Sequence, residues 1–295
     1  MKKGILIGAT VSIFLLIFGV FCYHRSKMFA LVYDAYSGKS HFEDEIQIPH
    51  PEESGRAGAV KIPILVYHSV RPHPYPEPPA IDQFDVTPEL FEKQLRYLQD
   101  NGFITVSVDD LVNSFTGGKA LPEKTVVINF DDGWENQYTY AFPLLKKYGD
   151  TATFFIYTNA IGHRHFLTWQ EVKELAAGGM QIGSHTKSHP YLNKISEDRL
   201  KDEIMGSKKI IENNLGKPVT AFASPFGYSN PDIVSLIKEA GYTSGRTTNW
   251  GTYHSKDDLL QLKSVFVGDS FDAFIKLVKI TNSEKHSAHP SPSVN

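Results

Sequence analysis

A chain of 295 residues, 41% hydrophobic and 21% charged, holds enough apolar material for one large domain or two small ones. A formal charge of −3 with no basic cluster in the body of the chain argues against a nucleic-acid partner. The single cysteine, Cys22, excludes an intrachain disulfide and a cysteine-based zinc knuckle.

Residues 1–23 carry Lys2 and Lys3 and then no charge from Gly4 to Tyr23. As a helix, that uncharged stretch would span ~30 Å, one bilayer core. It is expected to be a transmembrane anchor that leaves the bulk of the chain outside the cytoplasm, with a cleaved signal peptide as the alternative. Residues 24–60, which include "PHPEESGRAGA", lack periodicity and are expected to form a stalk. At the far end, residues 281–295 are polar and rich in Pro and Ser, the composition of a disordered tail.

Residues 61–280 are expected to form the folded domain. Short, continuous apolar runs occupy 62–67, 103–106, 125–130, 151–157, 180–183, 219–223, 242–245 and 262–267, the pattern of strands buried on both faces. Helical patterns lie between them. "TPELFEKQLRYLQDNG" has Thr87 as N-cap, Pro88 at the first position and Gly102 as its stop. "TWQEVKELAAGG" carries a capping box of Thr168 and Glu171. "SEDRLKDEIMGSKKIIENNLG" runs from Ser196 to Gly216, and "NPDIVSLIKEAG" from Asn230 to Gly241. This alternation predicts a parallel α/β fold, a (β/α) barrel of seven or eight strands, with a doubly wound open sheet as the alternative. No G-x-G-x-x-G follows any strand, which lowers a dinucleotide-binding reading.

Such barrels collect their chemistry at the C-terminal ends of the strands. The first run ends in His68, the third in Asp131-Asp132-Gly133, the fifth in "GSHTKSH" and the sixth in "SPFGYSN". Two adjacent carboxylates after Val126-Val127-Ile128 are costly to bury unless paired or bound to a metal. His185 and His189 are four apart, so on a helical turn both imidazoles would face one metal. A carboxylate is the usual complement to such a pair. "HTKSH" lacks the glutamate of H-E-x-x-H, so a base must come from elsewhere. One aspartate would bind the metal and the other would take a proton from water. Gly133 would permit the sharp turn that aims both side chains inward.

Taken together, these stretches resemble the polysaccharide deacetylases, the NodB-homology carbohydrate esterases. "NFDDG" is similar to the family's first motif, "HTKSH" to its second, H-[ST]-x-x-H, and "FASPFGYSN" to its third, over roughly residues 61–270. The resemblance implies a distorted (β/α) barrel with Asp131 as general base. It implies Asp132, His185 and His189 as ligands of Zn²⁺ or another divalent transition metal. It implies a substrate groove at Pro225, Phe226, Tyr228 and Trp250, with a backbone N–H near Phe226 holding the oxyanion. Trp134, Tyr138 and Trp169 join Tyr228 and Trp250 as candidates for stacking on sugar rings.

The chain departs from the common pattern in three places. Ala223 stands where the third motif usually has an arginine. The late Leu-x-His motif, whose histidine is the general acid, is missing, and "GRTTNWGTY" lacks the usual D-x-x-D-W. "ILVYHSV" and the arginine-free "FASPFG" are similar to the biofilm poly-N-acetylglucosamine deacetylases, in which the first-strand histidine stands in as acid; here that is His68. The implied function is metal-dependent N-deacetylation of an extracellular or cell-wall polysaccharide containing N-acetylglucosamine. The alternatives are an O-acetyl polysaccharide esterase and a catalytically inactive, membrane-anchored glycan-binding protein.

Overall fold

The computed structural model of the chain describes residues 58–73 and 84–279. Eight strands form its main sheet: β1 (Ile64–Tyr67), β2 (Ile104–Val106), β3 (Thr125–Phe130), β4 (Thr153–Ile156), β5 (Gln181–Ser184), β6 (Ala221–Ala223), β7 (Ser244–Trp250) and β8 (Leu262–Phe266). Each falls on one of the expected apolar runs. All pairings are parallel, in the order β1-β8-β7-β6-β5-β4-β3, and β3 pairs back onto β1. Seven strands therefore close a barrel. β2 stays outside the ring, on the N-terminal half of β3 (Thr125–Val127), while β4 pairs with that strand at Asn129 and Phe130.

Side-chain alternation sorts each strand into an inner and an outer face. Ile64, Val127, Phe155, Ala221, Ala223 and Leu262 share one buried cluster, the barrel's apolar floor. Leu65, Tyr67, Val126, Ile128, Phe130, Phe154, Ile182 and Phe222 belong to a second cluster, between the barrel and its helices. Counting by twos along the inner face reaches His68 after Ile64, Asp131 after Val127 and His185 after Gly183. On β7, Arg246 is the register partner of Ala223 and follows the same parity. The floor is filled by Phe155, and a Cβ on Gly183 would lie 2.5 Å from that ring. The mouth is polar because the inward parity positions beyond the floor carry these side chains.

Among the described residues, the α-helices are α1 (Pro88–Asp100), α2 (Val108–Phe115), α3 (Phe142–Tyr148), α4 (Trp169–Ala177), α5 (Glu197–Lys201), α6 (Ser207–Leu215), α7 (Pro231–Glu239) and α8 (Phe271–Lys279). Thr87, Thr168 and Asn230 cap α1, α4 and α7 through their side chains, as the sequence suggests. Ser107 and Asp110 form a further capping box at α2. The stretch read as one helix from Ser196 to Gly216 is three pieces: α5, a π-helical turn at Asp202–Gly206, and α6. A second π-helical turn, Gln137–Ala141, precedes α3.

The expected single-pass anchor, and with it the cell-membrane location and membrane partner, is not upheld. Among the described residues, no helix is long and apolar enough to cross a membrane. Residues 1–23, on which that expectation rested, lie outside the described residues, as do most of the expected stalk and all of the 281–295 tail. At its N-terminal boundary, the fold takes in Val60, which pairs antiparallel with His254.

Candidate active site

The turn after β3 explains why a buried strand ends on two carboxylates. Asp131 is buried and lies on the inner parity of the strand. Asp132 and Gly133 both adopt left-handed backbone, φ 76° and φ 78°. Two such residues in succession swing the chain so that Asp132 also enters the mouth, where plain alternation would send it outward. A Cβ on Gly133 would stand 3.1 Å from Ile156 Cγ2, so glycine suits the position in both space and conformation.

The following residues, Asn136 and Gln137, fix that turn to β1. The Gln137 side-chain amide donates to the carbonyls of His68 (2.6 Å) and Asp131 (2.5 Å). Asn136 donates to Ser69 Oγ (2.9 Å) and accepts from the Val70 N–H (3.1 Å). Two strand ends that carry titratable groups are thereby locked side by side.

Asp132, His185 and His189 converge, with one ligand atom from each lying within 4.8 Å of the others. Asp132 Oδ1 is 3.7 Å from His185 Nε2 and 3.4 Å from His189 Nε2. Donor atoms ~2.0–2.1 Å from one tetrahedral ion lie about 3.4 Å apart, so the spacing fits a divalent cation. The donor chemistry fits as well. His185 Nδ1 sits 2.7 Å from the Ala223 carbonyl oxygen, which can only accept, so Nδ1 carries the proton and Nε2 presents its lone pair. Trp134 Nε1–H donates to Asp132 Oδ2 (3.1 Å), leaving Oδ1 toward the imidazoles. Burial pushes His185 down to about 4, against the pull of Asp131 and Asp132, and lowers His189 as well, so both rings are neutral donors at neutral pH. The two histidines do not share a helical turn. They bracket a loop in which Thr186 and His189 have positive φ (70° and 56°).

Asp131 lies beside this cluster and makes different contacts. Its Oδ2 accepts from the Arg246 guanidinium in a buried ion pair, and His68 Nε2 lies 4.0 Å from the same oxygen. Its Oδ1 is buried with no hydrogen-bond partner. Burial alone would raise the Asp131 carboxyl, but Arg246, then His185 and His68, outweigh it and hold the group below its ordinary value. Sequence reasoning did not single out Arg246. It belongs to the stretch that departs from the expected motif, and it stands directly across the ladder from Ala223, where an arginine was expected and is absent. The guanidinium therefore reaches Asp131 from the strand beside Ala223.

Among the described residues, His254 is the one histidine after His189; it is buried and bonded to the Ile62 carbonyl (3.0 Å). Ile62 lies six residues before His68 along an extended stretch, so His254 sits at the opposite end of the barrel, ~20 Å from the mouth.

Aromatic rings surround the mouth. His68 is stacked on Phe266 (5.6 Å between ring centres) and edged by Phe84 (5.0 Å). Trp134 is stacked on Phe166 (4.4 Å). Phe226, at φ 56°, lies 4.7 Å from the His189 ring and is stacked on Tyr191 (3.9 Å). The turn that presents Phe226 requires Gly227, because a Cβ there would fall 1.9 Å from Thr248 Oγ1. Pro225 is buried beneath this turn and Tyr228 is exposed at its end. Trp250, Trp169 and Tyr138 pack against the apolar layer between barrel and helices.

Residues 118–245 match the family model described as polysaccharide deacetylase. The chain is 34% identical to YxkH of Bacillus subtilis (strain 168) over 224 residues, which is 74% of this chain and 77% of that protein. It is 28% identical to the poly-beta-1,6-N-acetyl-D-glucosamine N-deacetylase of Staphylococcus aureus (strain MSSA476), over 68% of this chain and 72% of that one. Among solved structures, the Streptococcus pyogenes deacetylase PplD, determined with acetate, aligns with a TM-score of 0.64 at 31% identity, over 71% of this chain and 93% of that chain. With its closed seven-stranded barrel and its Asp-His-His cluster at the strand ends, the chain belongs to the polysaccharide deacetylase family, hydrolases of carbon–nitrogen bonds in non-peptide substrates.

Proposed function

We propose that residues 61–280 form a metal-dependent N-deacetylase domain that acts on a polysaccharide containing N-acetylglucosamine, with β-1,6-linked chains as the favoured substrate. The observation that carries this reading is the division of labour between adjacent carboxylates. Asp132 faces His185 and His189, while Asp131 faces Arg246 and His68. The name of the Staphylococcus aureus relative supports the linkage.

Asp132 Oδ1 and the Nε2 atoms of His185 and His189 would hold Zn²⁺ or another divalent transition ion. When bound, that ion would polarise the acetamide carbonyl and lower the pKa of a neighbouring water. Asp131 acts as the base: Oδ2 stays on Arg246 while the unpartnered Oδ1 accepts the proton of the attacking water. Arg246 keeps that carboxylate ionised before the reaction. His68 carries the second proton. It lies across Asp131 Oδ2 from Arg246, half-buried between Phe84 and Phe266, and gives its proton to the amine nitrogen as the carbon–nitrogen bond breaks. The products are acetate and a free glucosamine unit. Phe226 and Trp134 flank the centre and would bear on the sugar rings, with the exposed Tyr228 beside them; Pro225 would act only by shaping the turn that presents Phe226, and Trp250 packs away from the mouth.

The test is acetate release from β-1,6-linked N-acetylglucosamine oligomers by purified protein, with metal content measured in parallel. Asp131→Asn should keep its metal and lose turnover ~10²-fold or more. His185→Ala or His189→Ala should lose stoichiometric metal together with activity, since two protein ligands are too few for a stable site. Full metal occupancy in both histidine variants would sink the assignment.

A further inference from the structure

We propose that Glu203 is a positioning residue for the metal centre: its carboxylate fixes the loop that carries His185 and His189 and so sets metal affinity. The proposal rests on the reading of Asp132, His185 and His189 as metal ligands.

The loop between the two histidines is a strained stretch. Thr186 and His189 are non-glycine residues in left-handed backbone, a conformation that persists only where neighbouring contacts over-determine it. The His189 N–H donates to Thr186 Oγ1 within the loop (3.1 Å), the Thr158 and Asn159 N–H groups hold its carbonyls, and a side chain from another element holds its N–H groups. Glu203 is 4% exposed, and both of its oxygens point at the two residues that join Thr186 to His189. Oε2 accepts from the Lys187 N–H (2.9 Å) and the Ser188 N–H (2.8 Å), and Oε1 accepts from the Ser188 hydroxyl. All three partners are donors. A carboxylate offers charged acceptors to all three together, whereas an amide meets the two N–H groups with a neutral oxygen, a weaker acceptor, and must turn the Ser188 hydroxyl around to face its NH₂.

The same segment grips the loop twice more. Asp202 Oδ2 lies 2.7 Å from Lys187 Nζ, and Ser207 Oγ lies 2.8 Å from the Oγ of Ser184, the residue before His185. Glu203 sits on the π-helical turn Asp202–Gly206, an irregularity that recurs at functional sites. Its helix is anchored independently, since Ile204 and Ile211 lie in the outer core and the Tyr242 hydroxyl donates to the Ile204 carbonyl (3.1 Å). Loss of the carboxylate therefore loosens the Lys187-Ser188 turn without unseating the helix, while the Thr158 and Asn159 N–H groups still hold the Thr186 and Lys187 carbonyls. His189 is the last residue of that loop, and its Nε2 must stay beside Asp132 Oδ1.

The experiment uses purified chain stripped with a chelator and titrated with Zn²⁺ against a chromophoric competitor. Glu203→Gln and Glu203→Ala should raise the Zn²⁺ Kd ~10- to 100-fold, the range for groups that orient metal ligands. At saturating Co²⁺ they should also alter the visible absorption of the centre, a signature that lowered stability alone does not produce. Lys201→Ala, which removes an exposed cation paired with Glu197 on α5 and touches neither Glu203 nor the loop, should bind Zn²⁺ like the parent. If Glu203→Ala does not fold, Glu203→Gln decides. Parental Kd and parental Co²⁺ spectrum in the Gln variant would overturn the proposal. A parent chain that binds no Zn²⁺ would instead overturn the metal centre on which it rests.

Discussion

Replacing Arg246 by Met removes the guanidinium and keeps an apolar side chain over Phe155, whose ring lies 5.5 Å from the guanidinium carbon. What remains is Asp131, 3% exposed, with its strongest counter-charge gone. Removing one partner of a buried pair typically costs about 3–5 kcal/mol, because the other charge is stranded. Protonation sets a ceiling on that cost. The carboxyl ordinarily titrates near 3.8. Neutralising it at pH 7 therefore takes about 4 kcal/mol, at ~1.36 kcal/mol for each tenfold. The expected loss is thus about 4 kcal/mol at pH 7, or a fall of roughly 8–16 °C in the unfolding midpoint of a domain this size. The sign of the pH dependence follows. Arg246 lowers the folded-state pKa of Asp131, so the stability it contributes is present above the unfolded pKa and is lost as pH falls through the lowered folded-state value. The gap between variant and parent should therefore narrow as pH falls below the ordinary carboxylate range. The assay is urea unfolding in the presence of chelator, with Asp131→Asn and the double variant completing a cycle. Asp131→Asn should recover most of the loss in the Arg246→Met background. A loss under ~1 kcal/mol at pH 7, or a loss unchanged at low pH, would refute the account of Arg246 as the charge that keeps Asp131 ionised.

Burial lowers the buried imidazole of His254 to about 4, only partly offset by its bond to Ile62. A lowered histidine favours the neutral form, so its share of stability is intact above ~6.5 and drains as pH falls toward 4; between pH 7 and pH 5 this amounts to about 2 kcal/mol. His254→Gln, compared with the parent by urea unfolding at both pH values, should lose about that much less, and identical slopes would contradict it. His68→Ala should fold, retain metal and lose most N-deacetylation, while losing far less on an activated aryl acetate, whose leaving group needs little protonation. Equal loss on amide and ester would argue against a proton-donor role.

The strands were legible because their inner and outer faces are both buried, which makes them continuous apolar runs. The helix starts were legible where a side chain caps them, at Thr87, Thr168 and Asn230. Ser107 with Asp110 is the same kind of signal before α2, and it was available in "SVDDLVNSF". A barrel of seven or eight strands was legible from the alternation, but which strand stays out of the ring was not, since no local feature separates β2 from the strands that join. The mouth was legible only in part. Asp131, Asp132, His185 and His189 declare themselves by spacing at strand ends. Arg246 does not, because its partner is 115 residues away and because a buried cation ends the apolar run that marks β7. The strand itself continues to Trp250. "HTKSH" was read as a helical turn because i, i+4 is helical spacing. The left-handed residues that make it a loop depend on Glu203, a contact that no short window of sequence contains.

The ring closes by joining the first of its strands to the last, with Leu65 opposite Val265. A ribosome adding ~5–20 residues per second needs roughly 10–40 s to make the chain between those two partners. Through that interval β1 can pair with β3, as soon as the latter emerges, but its other edge has no native neighbour. The apolar strand "ILVY" is therefore a pairing template for stray chains until synthesis is nearly done. Phe266, the stacking partner of His68, arrives with the strand that closes this edge. Nascent-chain solubility and the onset of deacetylase activity are thus tied to the same late event.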